Sequence, residues 1–126
     1  MEISKGQYDA FVNGKPRPTY VKSSTTIDEF VVTEVGEPTP VDEKVADKFP
    51  GLKGIVNVTL VGERFDDKGK EVPVQPVVID CGTLFSALNE AGIPPEEKKT
   101  GKTAKYIIPD FTIAITSGKV TCDAKK

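Results

Sequence analysis

Between Gly54 and Phe65 the chain alternates, with Val56, Val58 and Leu60 on one side of an extended backbone and Asn57 and Thr59 on the other. A period of two marks a half-buried strand. The same period recurs where Phe111, Ile113 and Ile115 alternate with Thr112, Ala114 and Thr116, and the Ser117-Gly118 turn leads from there into a last strand, Lys119 to Cys122. The run TTIDEFVVTEV, from Thr25 to Val35, is also β-rich, but its alternation slips at Asp28-Glu29. That slip predicts a bulge and a curved first strand. After the polar turn Asp66-Asp67-Lys68-Gly69-Lys70, the run from Val72 to Ile79 is expected to pair back as a hairpin. Pro73 and Pro76 lack the ladder donor, so they confine its beginning to an edge or a bulge.

A different period appears once with clarity. Leu84, Ala87, Leu88 and Ala91 fall at i, i+3, i+4 and i+7, which predicts an amphipathic helix over roughly Thr83 to Ala91, capped by Asp80 or Thr83 and stopped by Gly92 and Pro94-Pro95. So short a helix does not hold in water alone, so its apolar stripe must dock on the sheet. A second, short helix is expected where Thr39, Pro40 and Asp42 precede Val41, Val45, Ala46 and Phe49. In residues 1–24, Tyr8, Ala10 and Val12 alternate, and Lys15-Pro16-Arg17-Pro18 excludes a central strand; the segment reads as an edge strand and a loop. The stretch PPEEKKTGKTAK reads as a hydrophilic loop before Tyr106 to Ile108.

The resulting order, three strands, a helix, then two strands, resembles the OB-fold, a five-stranded Greek-key barrel with its principal helix between the third and fourth strands. The likeness lies in element order over roughly residues 18–122 and in no motif. It implies a mainly β chain forming one OB-like domain over residues 1–126, with the helix plugging one end of the barrel and Leu84 and Leu88 turned inward. A β-sandwich is the competitor, and it accounts for the strands but not for the helix.

Composition narrows the chemistry. The 126 residues include no His and no Trp, which removes the commonest metal ligand and the usual general base. Enzyme chemistry, a metal site and a cofactor are not expected. Cys81 and Cys122 read as free thiols, with a bond between the helix start and the last strand as the alternative. No leader or membrane-spanning run is visible, which reads as a cytoplasmic protein. Thr100-Gly101-Lys102-Thr103 has the ending of a phosphate-binding loop, but position 96, where the first glycine belongs, is Glu. Neither Asp42, Glu43 and Asp47 nor Asp66 and Asp67 have the spacing of a calcium loop.

Charge changes the picture most. A net charge of −2 conceals basic ends and an acidic centre. Residues 1–22 carry four basic and two acidic side chains, residues 98–126 seven and two, and residues 23–97 six and fifteen. If the two ends meet, Lys15, Arg17, Lys22, Lys102 and Lys105 form a positive surface beside Tyr20 and Tyr106. Lysines that follow phosphates and rings that stack on any base are what sequence-tolerant single-strand binding requires. The OB resemblance adds the face of the second and third strands, where Asn57, Arg64 and Phe65 lie.

The expected function is therefore non-enzymatic, largely sequence-independent binding of single-stranded DNA, in preference to RNA. A phage or plasmid setting fits the small size and the lack of familiar motifs. The alternative is a protein-interaction or assembly module, such as a virion component or an inhibitor of a host protein, using the acidic centre or a strand edge. That edge also leaves room for a homodimer.

Overall fold

The computed structural model describes residues 1–16 and 26–124. It is mainly β, with every strand pair antiparallel. Strands β2 (Ile27–Val35), β4 (Val56–Phe65), β6 (Val77–Asp80), β9 (Phe111–Thr116) and β10 (Lys119–Ala124) form the main sheet in the order β10-β9-β2-β4-β6. The fourth of these strands in chain order thus lies beside the first, while the second and third follow on its other side. That arrangement is a Greek key. Two-residue strands β3 (Thr39–Pro40) and β5 (Glu71–Val72) extend the flanks of β4.

The long strands bury most of the residues their alternation predicts, with Val56 of β4 left half-buried. Phe30 and Val32 of β2, Val58 and Leu60 of β4, and Phe111, Ile113 and Ile115 of β9 all enter one core. The register of β2 against β9 shifts between Ile27 and Phe30, across the Asp28-Glu29 slip in the sequence, and its register against β4 shifts again between Val32 and Glu34. Pro73 and Pro76 fall in the unpaired gap between β5 and β6. The β9–β10 turn has positive φ at both Ser117 (51°) and Gly118 (80°), the backbone that a two-residue hairpin matched to strand twist needs.

The central helix α3 (Cys81–Glu90) is capped by Asp80, whose carboxylate accepts from the Thr83 amide at 2.8 Å. Leu84 and Leu88 are fully buried, and α3 packs against β4, β6 and β10. The expected barrel does not close. Among the described residues β6 pairs only with β4 and β10 only with β9. The two prolines trim the third strand to four residues and Asp80 immediately starts a helix, so too little extended chain remains to bridge to β10.

Two segments depart from the sequence reading. Residues 5–13 are not an edge strand but a helix, α1 (Lys5–Asn13). Its start is a capping box: the Ser4 hydroxyl accepts from the Gln7 amide at 3.1 Å, and the Gln7 side-chain oxygen accepts from the Ser4 amide at 2.7 Å. Buried Gln7 also donates to the carbonyls of Val35 (2.7 Å) and Gly36 (3.0 Å), tying α1 to the end of β2. Phe11, one turn on, is wholly buried, whereas Val12 is exposed. Burial therefore follows the helical period, and the apparent alternation of Tyr8, Ala10 and Val12 is incidental.

The stretch read as a hydrophilic loop forms β7 (Glu96–Thr100) and β8 (Thr103–Ile107), an antiparallel ribbon. Gly101, at φ 63°, occupies the first turn position, as a two-residue turn of this kind favours. The Thr-Gly-Lys-Thr sequence is thus a hairpin tip. A second small sheet results, in which β8 pairs on its other side with β1 (Glu2–Ile3). The expected short helix forms only as α2 (Glu43–Lys48), capped by Asp42 and burying none of its residues; Thr39 and Pro40, read as its start, pair with β4 instead, Val41 precedes it and Phe49 follows its end. Arg17, Tyr20 and Lys22 lie outside the described residues.

Candidate nucleic-acid interface

In the β7–β8 ribbon, β7 is built wholly from polar residues and is exposed throughout, while β8 adds Ala104 and the half-buried Tyr106 and Ile107. Its register places Lys98 directly opposite Lys105, with Lys99 opposite Ala104 and Thr100 opposite Thr103. Residues directly opposite share a face, so Lys98 and Lys105 extend from the same side of the ribbon, and Lys102 stands in the turn. Facing like charges cost roughly 0.2–1 kcal/mol relative to a neutral pair. Among the described residues neither Lys98, Lys102 nor Lys105 makes an ion pair, while Lys99 lies 3.6 Å from Glu97. The ribbon thus holds Lys98, Lys102 and Lys105 without an ion-paired partner among the described residues, although Glu97 offsets Lys99.

Tyr106 follows Lys105 in an extended strand and therefore points to the other face. There it lies across from Ile3 and Glu97 and meets Tyr8 of α1, with ring centroids 4.8 Å apart and planes tilted by 36°. Both tyrosines pack against the core. Lys5 carries its ion-paired partner Asp9 at 3.2 Å, and that hydrogen bond, with the neighbouring carboxylate charge, raises its pKa above the ordinary value. Tyr106 and Lys105 consequently do not form one lysine-and-ring surface.

The remaining sequence-derived residues are spread over the main sheet. Asn57 and Arg64 are separated by the length of β4, about 23 Å at ~3.3 Å per residue. Asn57 stands opposite Asp80 and Thr39. Arg64 projects to the opposite side of the strand and forms a 2.7 Å ion pair with Asp28 of β2. Its guanidinium is engaged within the fold. Phe65, 52% exposed, ends the strand opposite Glu71. Lys15 is exposed, and its backbone passes close to Gly82 at the start of α3. Of the ten residues chosen from the sequence, the structure brings Lys102 and Lys105 together; Lys98 and Lys99, which join them, were not among the ten. The signal for them was present in EEKKTGKTAKY, where a glycine turn separates two lysine-bearing halves of equal length.

Cys81 and Cys122 are both buried and free. Burial, helped by the charge of Asp80, pushes the Cys81 thiol up to about 11; burial, helped by Asp123, pushes Cys122 up to about 12. These are neutral packing groups at neutral pH, not nucleophiles. Among the described residues no three Cys, Asp or Glu side chains gather as a metal-binding group, and no helix is long and apolar enough to cross a membrane. The chain matches no protein-family model, no curated protein and no solved structure.

Proposed function

We propose that this chain is an OB-like, non-enzymatic protein that binds single-stranded DNA with little sequence preference, and that the β7–β8 ribbon is its main phosphate contact. The observation that carries this reading is the Lys98–Lys105 pair, held face to face with Lys102 at the tip and without acidic partners among the described residues. A polyanion removes the repulsion such an arrangement builds in. The Greek-key order β9-β2-β4-β6 with α3 between its third and fourth strands supports an OB-like relationship. Phe65 is an exposed ring able to stack on a base, and Phe49 is exposed to a similar degree. A protein-interaction role is the second reading, favoured by the unpaired edges of β6 and β10.

Fluorescence anisotropy with labelled oligo-dT of about 10 to 40 nucleotides, from about 50 to 300 mM salt, tests the first reading. Affinity is expected to fall linearly on a log–log plot against salt. Neutralising Lys98, Lys102 and Lys105 together as Gln should lower that slope by ~2, since each phosphate contact to a single strand contributes ~0.7. Absence of binding at the lowest salt sinks the reading.

A further inference from the structure

The two open edges of the Greek key face one cleft. Its volume is about 1320 Å³, and Val77, Val78 and Ile79 of β6 line one side while Ile115 and Val120 of the β9–β10 hairpin line another. Val41, Val45 and Leu52, from the segment between β2 and β4, contribute further apolar surface. Two of these side chains are exposed to a degree unusual for their type: Val78 is 64% accessible and Val45 41%. Among the described residues the edge of β6 away from β4 and the edge of β10 away from β9 carry no ladder.

An unpaired edge beside apolar pockets is the arrangement used for strand addition, where main-chain hydrogen bonds hold an extended peptide and alternate side chains enter pockets. A helix would leave the edge unpaired. A nucleic-acid strand is disfavoured by charge, because Asp42, Asp80 and Glu90 line the cleft against Lys119 alone. Asp42 and Glu90, the exposed members of this group, select basic residues on the occupant. Pro76 cannot donate from an edge, so pairing begins at Val77 and is limited to the four residues of β6.

We propose that this cleft binds an extended segment of a protein partner, apolar at alternate positions and basic at its ends, which adds as a strand to the free edge of β6. This rests on the protein-interaction reading, to which it assigns a site and a partner chemistry, and it uses none of the ribbon lysines.

The probe is a short fluorescein-labelled peptide in which Val and Ile alternate with Thr between paired lysines. Two controls accompany it: the same apolar core between paired glutamates, and the lysine peptide with Pro at its centre. The expected result is saturable binding below about 1 mM peptide, at least about tenfold weaker for either control, with slowed amide exchange in residues 77–80. Val78→Lys, at an exposed position, should abolish binding while leaving oligo-dT affinity unchanged; Glu90→Lys, exposed on α3, should narrow the gap between lysine and glutamate peptides without unfolding anything. No binding at about 1 mM, equal binding of the glutamate peptide, or full binding by a folded Val78→Lys protein each overturns the proposal. Loss of oligo-dT binding in Val78→Lys also overturns it, by assigning the cleft to nucleic acid.

Discussion

The Greek key and the β7–β8 ribbon are made of the same kind of ladder yet hold together for different reasons. In the first, strands present one apolar face to a shared core, and α3 seals it with Leu84 and Leu88, both fully buried. In the second, neither face of β7 is buried, and the ladder sets two lysines against each other. Burial of apolar surface is the dominant favourable term in folding, so the stability of the chain resides in the Greek key. The ribbon is free to carry charge that would be intolerable in the core. Substitutions should therefore sort by region: stability is lost without loss of binding in one, and the reverse holds in the other.

The largest effect is expected from Leu84→Ala. A fully buried leucine on a helix packed against β4, β6 and β10 leaves a cavity that a helix pinned at Asp80 cannot collapse to fill, for a cost of ~2–5 kcal/mol. Urea denaturation measures it, and the triple lysine-to-glutamine ribbon variant, measured alongside, should not lose stability. If both variants lost comparable stability, the division between the two regions would be wrong.

Next in size is a pH effect confined to the Greek key. Unfolded thiols ionise near 9, but the fold holds Cys81 neutral up to about 11 and Cys122 up to about 12. A raised pKa of this kind gives stability that is complete below about 9 and is lost as pH climbs toward 11 and 12. Stability should fall progressively across that window. Because lysines titrate in the same range, the check is the difference from a Cys81→Ala/Cys122→Ala protein, which should fall less steeply. At pH 8 the native thiols should also resist a disulfide-exchange reagent that reacts at once after unfolding. Rapid reaction of the native protein would contradict their burial.

The same contrast explains what could be read from the sequence. The alternations around Val58 and Ile113, and the helical spacing of Leu84 and Leu88, are signals produced by burial itself, and there the reading matches the structure. The Asp28-Glu29 slip was legible for the same reason, since a register shift moves side chains between faces. The ribbon gave no such signal: Glu96 to Thr100 contain no apolar residue, so no period could reveal a strand. Helix α1 is hidden in the sequence because three alternating residues satisfy a two-residue period by chance, while the decisive pattern, Ser4 with Gln7, is polar. Barrel closure depends on how two strands separated by α3 and the ribbon approach each other, which local patterns do not encode. The candidate site was legible as charge, in the basic C-terminal region, but not as geometry, because which lysines face one another depends on the turn at Gly101.

The smallest expected effects compare two surface charge arrangements, one in each region. Asp28→Asn breaks the Arg64 ion pair that joins the start of β2 to the end of β4; with Asp28 mostly exposed, the loss should be below ~1 kcal/mol. Lys98→Gln removes a facing like charge on the ribbon and should raise stability by a few tenths up to ~1 kcal/mol. Thermal melts at low and high salt distinguish them in sign, and both differences should shrink as salt screens the charges. Their effects on oligo-dT binding differ as well. Lys98→Gln should weaken binding and lower the salt slope by ~0.7, whereas Asp28→Asn, which frees a guanidinium on the main sheet and not on the ribbon, should leave the slope unaltered. A steeper slope in Asp28→Asn would mean that a released Arg64 reaches phosphate, and would move the interface from the ribbon toward the end of β4 where Phe65 stands exposed.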